Sequence, residues 1–517
     1  MALVLVFLAG GLPLVWLGVH ALHDVSSAAT ALLSWQTVML LANTVRLGMG
    51  VALLVGALGT ALGILLAKTD LAGSRMLMAL LTFPLFLPPY VLAFGWFTVL
   101  GRQGLLAALL GPRVGITTSG TFFGVGGALL VLTVAYTPIV VHLVRIALLS
   151  IDPAIEDAAR LRFGWPPIIR RIHLPLIAPA IALGMLVTFI LVIGEFGVPA
   201  YVRYPVFSGA VFTQFAAFLD IRAAVVTSIP LAVLVLGGMA AERYWLRARV
   251  RFLGRARIIP VLARLAEWRI IVTATAWAYG LVTVLTPLGG LAVQAGGRIS
   301  YVAALRGAAA SVVASVWMAA LAATVIAAVG FLLAYLVERR PHGRRHGLDT
   351  GLMLLFAVPG TVLGVALILL WNRSGLVHVY ASVGIILIGY VAHYTPLAVR
   401  AIGVGLHAIP TDLEEAARGA GVSWTRTIGL VLLPLLGPGV AGAWALAFVF
   451  CLRDLDLVMT VHPPGVETMP IRLYTLMANS ASSVTAALGL VIIGLTASCV
   501  LLLGAALTVL RRFSAWN

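Results

Sequence analysis

Glu156-Asp157-Ala158-Ala159-Arg160, followed by Gly164-Trp165 and then His173-Leu174-Pro175, is a short charged stretch in a chain that is otherwise mostly apolar. It occurs twice. The second copy reads Glu414-Glu415-Ala416-Ala417-Arg418, then Gly421, Trp424 and Leu432-Leu433-Pro434. Tyr136-Thr137-Pro138 and Tyr394-Thr395-Pro396 extend the repeat, each tyrosine standing 20 residues before its glutamate. A polar loop between two membrane spans explains one copy. Two copies in register read as a docking surface used twice.

Of the 517 residues, 62% are hydrophobic and 10% charged, against about 25% charged in an average soluble domain. Apolar runs of about 20 residues, the length that crosses a bilayer, recur throughout. The expectation is an all-α polytopic membrane protein with about twelve spans. Barrel strands alternate over short segments, so a β-barrel is excluded. The net charge of +17 belongs to arginines in short loops, as the positive-inside rule describes, and no nucleic-acid partner is expected. The two cysteines, Cys451 and Cys499, lie in apolar runs and build neither a disulfide framework nor a zinc cluster. Met1 to Leu22 lacks the basic start and cleavage pattern of a signal peptide and is expected to be the first span.

Spans are expected at 2–22, 44–67, 76–100, 122–149, 176–200 and 223–242, then at 270–293, 309–337, 350–371, 380–406, 433–452 and 485–510. Pro88-Pro89 and Pro359 should kink two of them. Residues 101–121, with Arg102 and Arg113, read as a loop. The domains are a first half (1–247), a basic cytoplasmic linker (248–269) and a second half (270–517). Arg243, Arg247, Arg249, Arg251, Arg255, Arg257, Arg264 and Arg269 mark the cytoplasmic side around that linker and suit anionic lipid. Glu338, Arg339, Arg340, Arg344 and Arg345 mark it again. Both termini then lie inside, and the halves form a parallel repeat about an axis along the membrane normal.

Within the repeated loops, 150–175 and 408–434, Asp152-Pro153 suits an N-cap followed by the first helical position. Thr411 and Glu414 have the spacing of a capping box. Gly421 supplies a turn that a Cβ resists, Trp424 opens a second short helix, and Leu-Pro marks re-entry into the membrane. The expected product is a helix–turn–helix along the cytoplasmic face, showing small side chains and one or two carboxylates.

Glu415-Ala416-Ala417, three residues, Gly421, a spacer and Leu433-Pro434 resemble the signature of ABC-importer inner-membrane permeases. The first copy departs from it: Asp157 precedes the alanines, four residues separate Ala159 from Gly164, and the copy is one residue shorter. The resemblance covers the whole chain as two fused halves and implies the type I importer permease fold. It also implies that Glu156, Asp157, Ala158, Ala159 and Gly164, with Glu414, Glu415, Ala416, Ala417 and Gly421, form coupling helices seated on two copies of a separate ATPase subunit. That partner would bind ATP and magnesium. A periplasmic or extracellular binding protein would deliver substrate, and the location would be the bacterial inner membrane. Gly194-Glu195-Phe196-Gly197-Val198-Pro199-Ala200 and Pro463 to Arg472 look like segments of fused ferric-iron permeases, to which thiamine permeases are related.

The chain holds no ATP site of its own. A P-loop needs Gly-Lys before Ser or Thr, and the only lysine, Lys68, follows Ala67. No nucleophile–base constellation is visible, so no enzyme activity is expected. Ionisable residues near the membrane interior default to a functional hypothesis. Glu195 and Asp454 lie 20 residues past Pro175 and Pro434, about 30 Å along a helix, near the external mouth; Arg453 and Asp456 flank Asp454. They are either a paired acidic site on a cation's path or partners of interfacial salt bridges, with Arg203 or Arg472 as candidates. His142 and His393 are isolated and make no ligand set; a helix–helix hydrogen bond is the plainer role. A gradient-driven twelve-helix transporter is the competing class, but it gives the doubled loop no role.

Overall fold

The computed structural model describes residues 2–23, 34–241, 244, 263–339, 342–479 and 482–514. The fold is all-α. Eleven helices among the described residues are long and apolar enough to cross a membrane, twelve if one bent pair is counted as a single span. Most of the expected linker, 248–262, lies outside the described residues.

Three expectations are corrected. The span at 76–100 is two pieces: Ser74–Thr82 tightens into a 3-10 turn at Phe83–Phe86, and a new helix begins at Pro89–Leu100. A proline pushes the residue before it into extended conformation, and Leu87 (ψ 145°) and Pro88 (ψ 127°) both obey. A second break falls at Pro359, itself extended (ψ 141°), where Gly347–Ala357 and Gly360–Trp371 meet at 99°. Residues 101–121 are not an irregular loop. They form helices Leu105–Leu110 and Pro112–Phe122, joined at Gly111 with φ +99°. Finally, the helices after the repeated loops begin before Leu-Pro, at Trp165 and Trp424, and run to Gly194 and Arg453. One π turn, Ile169–His173 or Ile428–Leu432, precedes each Leu-Pro. The N–H of Leu174 reaches back to Ile169 and that of Leu433 to Ile428, and this widened turn lies just before a residue that has no N–H to give.

The chain forms two compact units that do not coincide with the two halves of the sequence. One holds residues 30–210 and 227–297. In it Trp35–Lys68 packs against Val125–Leu149 at glycines: a Cβ on Gly59 would stand 2.6 Å from Val140 Cβ, and one on Gly63 2.7 Å from Val144 Cγ1. Such small residues let membrane helices approach closely. Arg269–Ala295, the first helix of the second half, belongs here and lies on Pro89–Leu100, where Gly95 meets Pro287.

The other unit holds residues 1–29, 211–226 and 298–517. Arg298–Glu338 packs on Gly384–His407, with Gly330 against Ala398. The first helix of the first half belongs to this unit. Gly10 abuts Leu355 and Ala392, and the Arg373 guanidinium lies 4.3 Å from the ring centre of Trp16.

Candidate docking helices and helix-end carboxylates

The first repeated loop forms helix Pro153–Arg160, capped by Asp152, whose Oδ1 accepts the Ala154 N–H at 2.9 Å. The second forms Asp412–Gly419. The capping box expected there is absent, because Thr411 is itself helical (φ −63°, ψ −26°) and makes no side-chain cap. Glu414 is engaged elsewhere.

Glu156 and Glu414 both turn inward and are buried. Glu156 Oε1 is ion-paired with Lys68 and hydrogen-bonded to His173 Nε2 at 3.0 Å. The single lysine of the chain thus serves this anchor. Burial pushes the Glu156 carboxyl up, but hydrogen bonds from His173 and Lys68, with the Lys68 charge, outweigh it and leave the group below its ordinary value. Glu414 accepts from Arg339 Nε at 2.7 Å and from the Tyr335 hydroxyl at 2.7 Å. Arg339 also donates to the Ile409 carbonyl (3.2 Å). The two loops therefore solve one problem, holding a short helix against the ends of longer ones, with different side chains. The tryptophans sit over the anchors: Trp424 Nε1 donates to Tyr335 at 3.3 Å, and Trp165 packs 6.4 Å, ring centre to ring centre, from His173.

The residue after each anchoring glutamate points out. Asp157 and Glu415 are exposed, as are Ala158 and Ala416, while Ala159 and Ala417 are half-buried. What each helix offers is a carboxylate beside a methyl-sized surface. Gly421 adopts φ +74°, as expected of a glycine turn. Gly164 does not. It is extended (φ −75°, ψ 175°) and caps the next helix, as Ser423 does in the second copy, so the first turn, one residue shorter, closes without left-handed backbone.

Glu195 and Asp454 cap the C-termini of Leu174–Gly194 and Leu433–Arg453 in matching conformations, φ −68°, ψ 126° and φ −67°, ψ 119°. Both are buried. The Tyr136 hydroxyl donates to Glu195 Oε2 at 3.3 Å, and the Tyr394 hydroxyl donates to Asp454 Oδ2. The second oxygen of each accepts a backbone N–H at the start of the next short helix, Val198 at 3.4 Å and Leu457 at 3.0 Å. The repeated Tyr-Thr-Pro is thereby explained: its tyrosine holds the carboxylate at a helix break. Arg472 pairs with Glu467 at 3.5 Å, and Arg203 lies over Phe123. Half-buried Arg453 lies 4.3 Å from the ring centre of Phe450, and Asp456 opens helix Asp456–Val461. His142 Nε2 is hydrogen-bonded to Thr82 Oγ1 at 2.9 Å, the expected helix contact, and His393 packs 4.7 Å from Tyr394. Nothing local in the sequence around the anchors Lys68, Arg339 and Tyr335 points to a loop so far along the chain.

Two homologous helical halves on one chain, each with the same inward-anchored surface helix, define a fused ABC-transporter permease. Residues 59–251 and 344–513 match the family of binding-protein-dependent transport system inner membrane components, and the chain belongs to that family. It is 28% identical over 401 residues to the ferric transport system permease protein of Actinobacillus pleuropneumoniae, covering 73% of this chain and 58% of that one. An Fe(3+)-transport system permease protein of Haemophilus influenzae is 22% identical over 455 residues (84% and 83%). A further Haemophilus influenzae relative is 28% identical over 402 residues, 73% of this chain and 62% of its own length. The chain thus spans less than two thirds of two of these relatives. The molybdenum transport system permease protein of Escherichia coli K12 is 35% identical over 134 residues, 26% of this chain and 57% of its own.

Proposed function

We propose that the chain is the membrane-spanning subunit of a binding-protein-dependent importer, driven by two copies of a separate ATPase that dock on Pro153–Arg160 and Asp412–Gly419. The ATPase holds ATP and magnesium; this chain holds neither and catalyses nothing. One observation carries the reading. In both loops a buried glutamate fixes the helix while the next three residues present the same carboxylate, alanine, alanine surface. Closing of the ATPases on ATP would move the two helices and alternate access through the bundle. The docking side is the cytoplasmic face of a bacterial inner membrane, and the binding protein delivers from the other side. Glu195, Asp454, Arg453 and Asp456 stand toward that external end of the path. The cargo is ferric iron, supported by the names of relatives alignable over most of this chain; molybdate and thiamine are the competing cargoes to assay.

The docking reading is tested by co-purification of the ATPase from native membranes. Ala158→Arg with Ala416→Arg should abolish capture of the ATPase and uptake of radioactive iron while leaving the permease in the membrane at its normal level. Undiminished capture by the double variant would remove the helices from the interface.

A further inference from the structure

The Trp35–Lys68 helix ends without a glycine. Its C-cap, Thr69, is extended (φ −124°, ψ 161°). A helix leaves its last carbonyls without intrahelical partners, and here two groups take them. Thr69 Oγ1 donates to the Leu65 carbonyl at 2.6 Å. The backbone N–H of Ala263, from a segment nearly two hundred residues away, donates to the Lys68 carbonyl at 2.7 Å. The Asp70 N–H returns to the Ala263 carbonyl at 3.3 Å, so Thr69 and Ala263 form a parallel bridge. Asp70 Oδ1 then accepts the N–H of Leu265 at 2.9 Å. Trp277 Nε1 donates to the Ala72 carbonyl at 3.0 Å. The lead-in to the Arg269–Ala295 helix is thereby fastened along residues 68–72.

Two fastenings meet on Lys68. Its ammonium holds Glu156 and with it the first docking helix; its carbonyl is held by Ala263. We propose that the 263–265 segment and Asp70 are positioning elements for the first docking helix: by capping the helix end they fix the Lys68 side chain where Glu156 meets it. The inference rests on the docking reading above for its role in transport, though not for its geometry. The Asp70–Arg269 pair, at 3.7 Å and half exposed on the arginine side, adds little, as surface pairs do. The backbone bridge and the Asp70–Leu265 bond make the link. The second docking helix is held by Tyr335 and Arg339, near the end of a different helix, so the dependence on 263–265 is confined to the first.

The test uses the full chain in proteoliposomes with Cys451→Ala and Cys499→Ala. A spin label is placed on Asp157→Cys or, separately, on Glu415→Cys. Ala263→Pro deletes the N–H that caps Lys68, and Asp70→Ala deletes the acceptor for Leu265; either serves should the other fail to fold. The expected result is a rise of about fivefold in the mobile fraction at position 157, the order set by losing one hydrogen bond, with no change at 415. An unchanged spectrum at 157 overturns the proposal. An equal rise at both labels also overturns it, since that marks general loosening. A mobile 157 label with undiminished ATPase capture supports the positioning and instead counts against the docking reading.

Discussion

Gly421 has φ +74° and open space around its Cα, so a side chain there would meet no neighbour and still be strained. The left-handed conformation costs an L-residue about 1–2 kcal/mol and is worse for a β-branched one. Gly164, the motif glycine of the first copy, is extended, and a Cβ there would meet nothing nearer than Pro166 Cδ at 3.9 Å. Gly421→Val should therefore weaken ATP-driven uptake severalfold, whereas Gly164→Ala should leave it within about twofold. The measurement is ATPase stimulation and uptake in reconstituted vesicles, and equal damage from both would show that the glycines matter for something other than backbone conformation. In the sequence this asymmetry is Gly164 standing directly before Trp165, whereas Gly421 stands three residues before Trp424. The sequence did not show which glutamate turns inward, because neighbouring acids on a short helix are separated only by what lies beneath them. Here that is Lys68 and His173 in one loop and Arg339 and Tyr335 in the other.

At the scale of elements, each helix that carries Glu195 or Asp454 stops at a buried carboxylate held by a tyrosine and by the first N–H groups of the next helix. An amide of the same shape keeps one acceptor oxygen for the backbone N–H, turns its NH2 to donate to the tyrosine hydroxyl, and removes the charge. Glu195→Gln with Asp454→Asn should thus preserve membrane abundance and lower uptake of a cationic cargo by about tenfold, the lower range for hydrogen bonds to charged groups. Normal iron uptake by the double variant would assign the carboxylates to structure alone. The apolar runs and their number were legible from composition, and the prolines from their chemistry. The complete break at Leu87–Pro89, the 99° bend at Pro359 and the helices inside 101–121 were less so. A proline says that a helix is interrupted but not by what angle, and short helices beside a membrane lack the long apolar run by which a span announces itself.

For the whole molecule, the repeat visible in the sequence and the compact units are different partitions. Residues 2–23 belong with 298–517, and Arg269–Ala295 belongs with 30–210. No periodicity encodes such an exchange, since an apolar helix is equally apolar against either partner. The consequence is mutual dependence. Fragments 1–257 and 258–517 expressed separately should each be degraded, because each lacks a helix its main body packs against. Expressed together they should accumulate and co-purify. Stable accumulation of either fragment alone would show that the exchanged helix is dispensable to it.

That exchange also bears on how the chain is made. The helix that ends at His23 leaves the ribosome long before its packing partners, which begin near Gly347 and Gly384. At about 5–20 residues per second, it waits on the order of tens of seconds in the bilayer with its eventual partners not yet translated. During biosynthesis its inward face must be covered by lipid or by the insertion machinery, and assembly of the second compact unit closes a loop between segments far apart in the polypeptide.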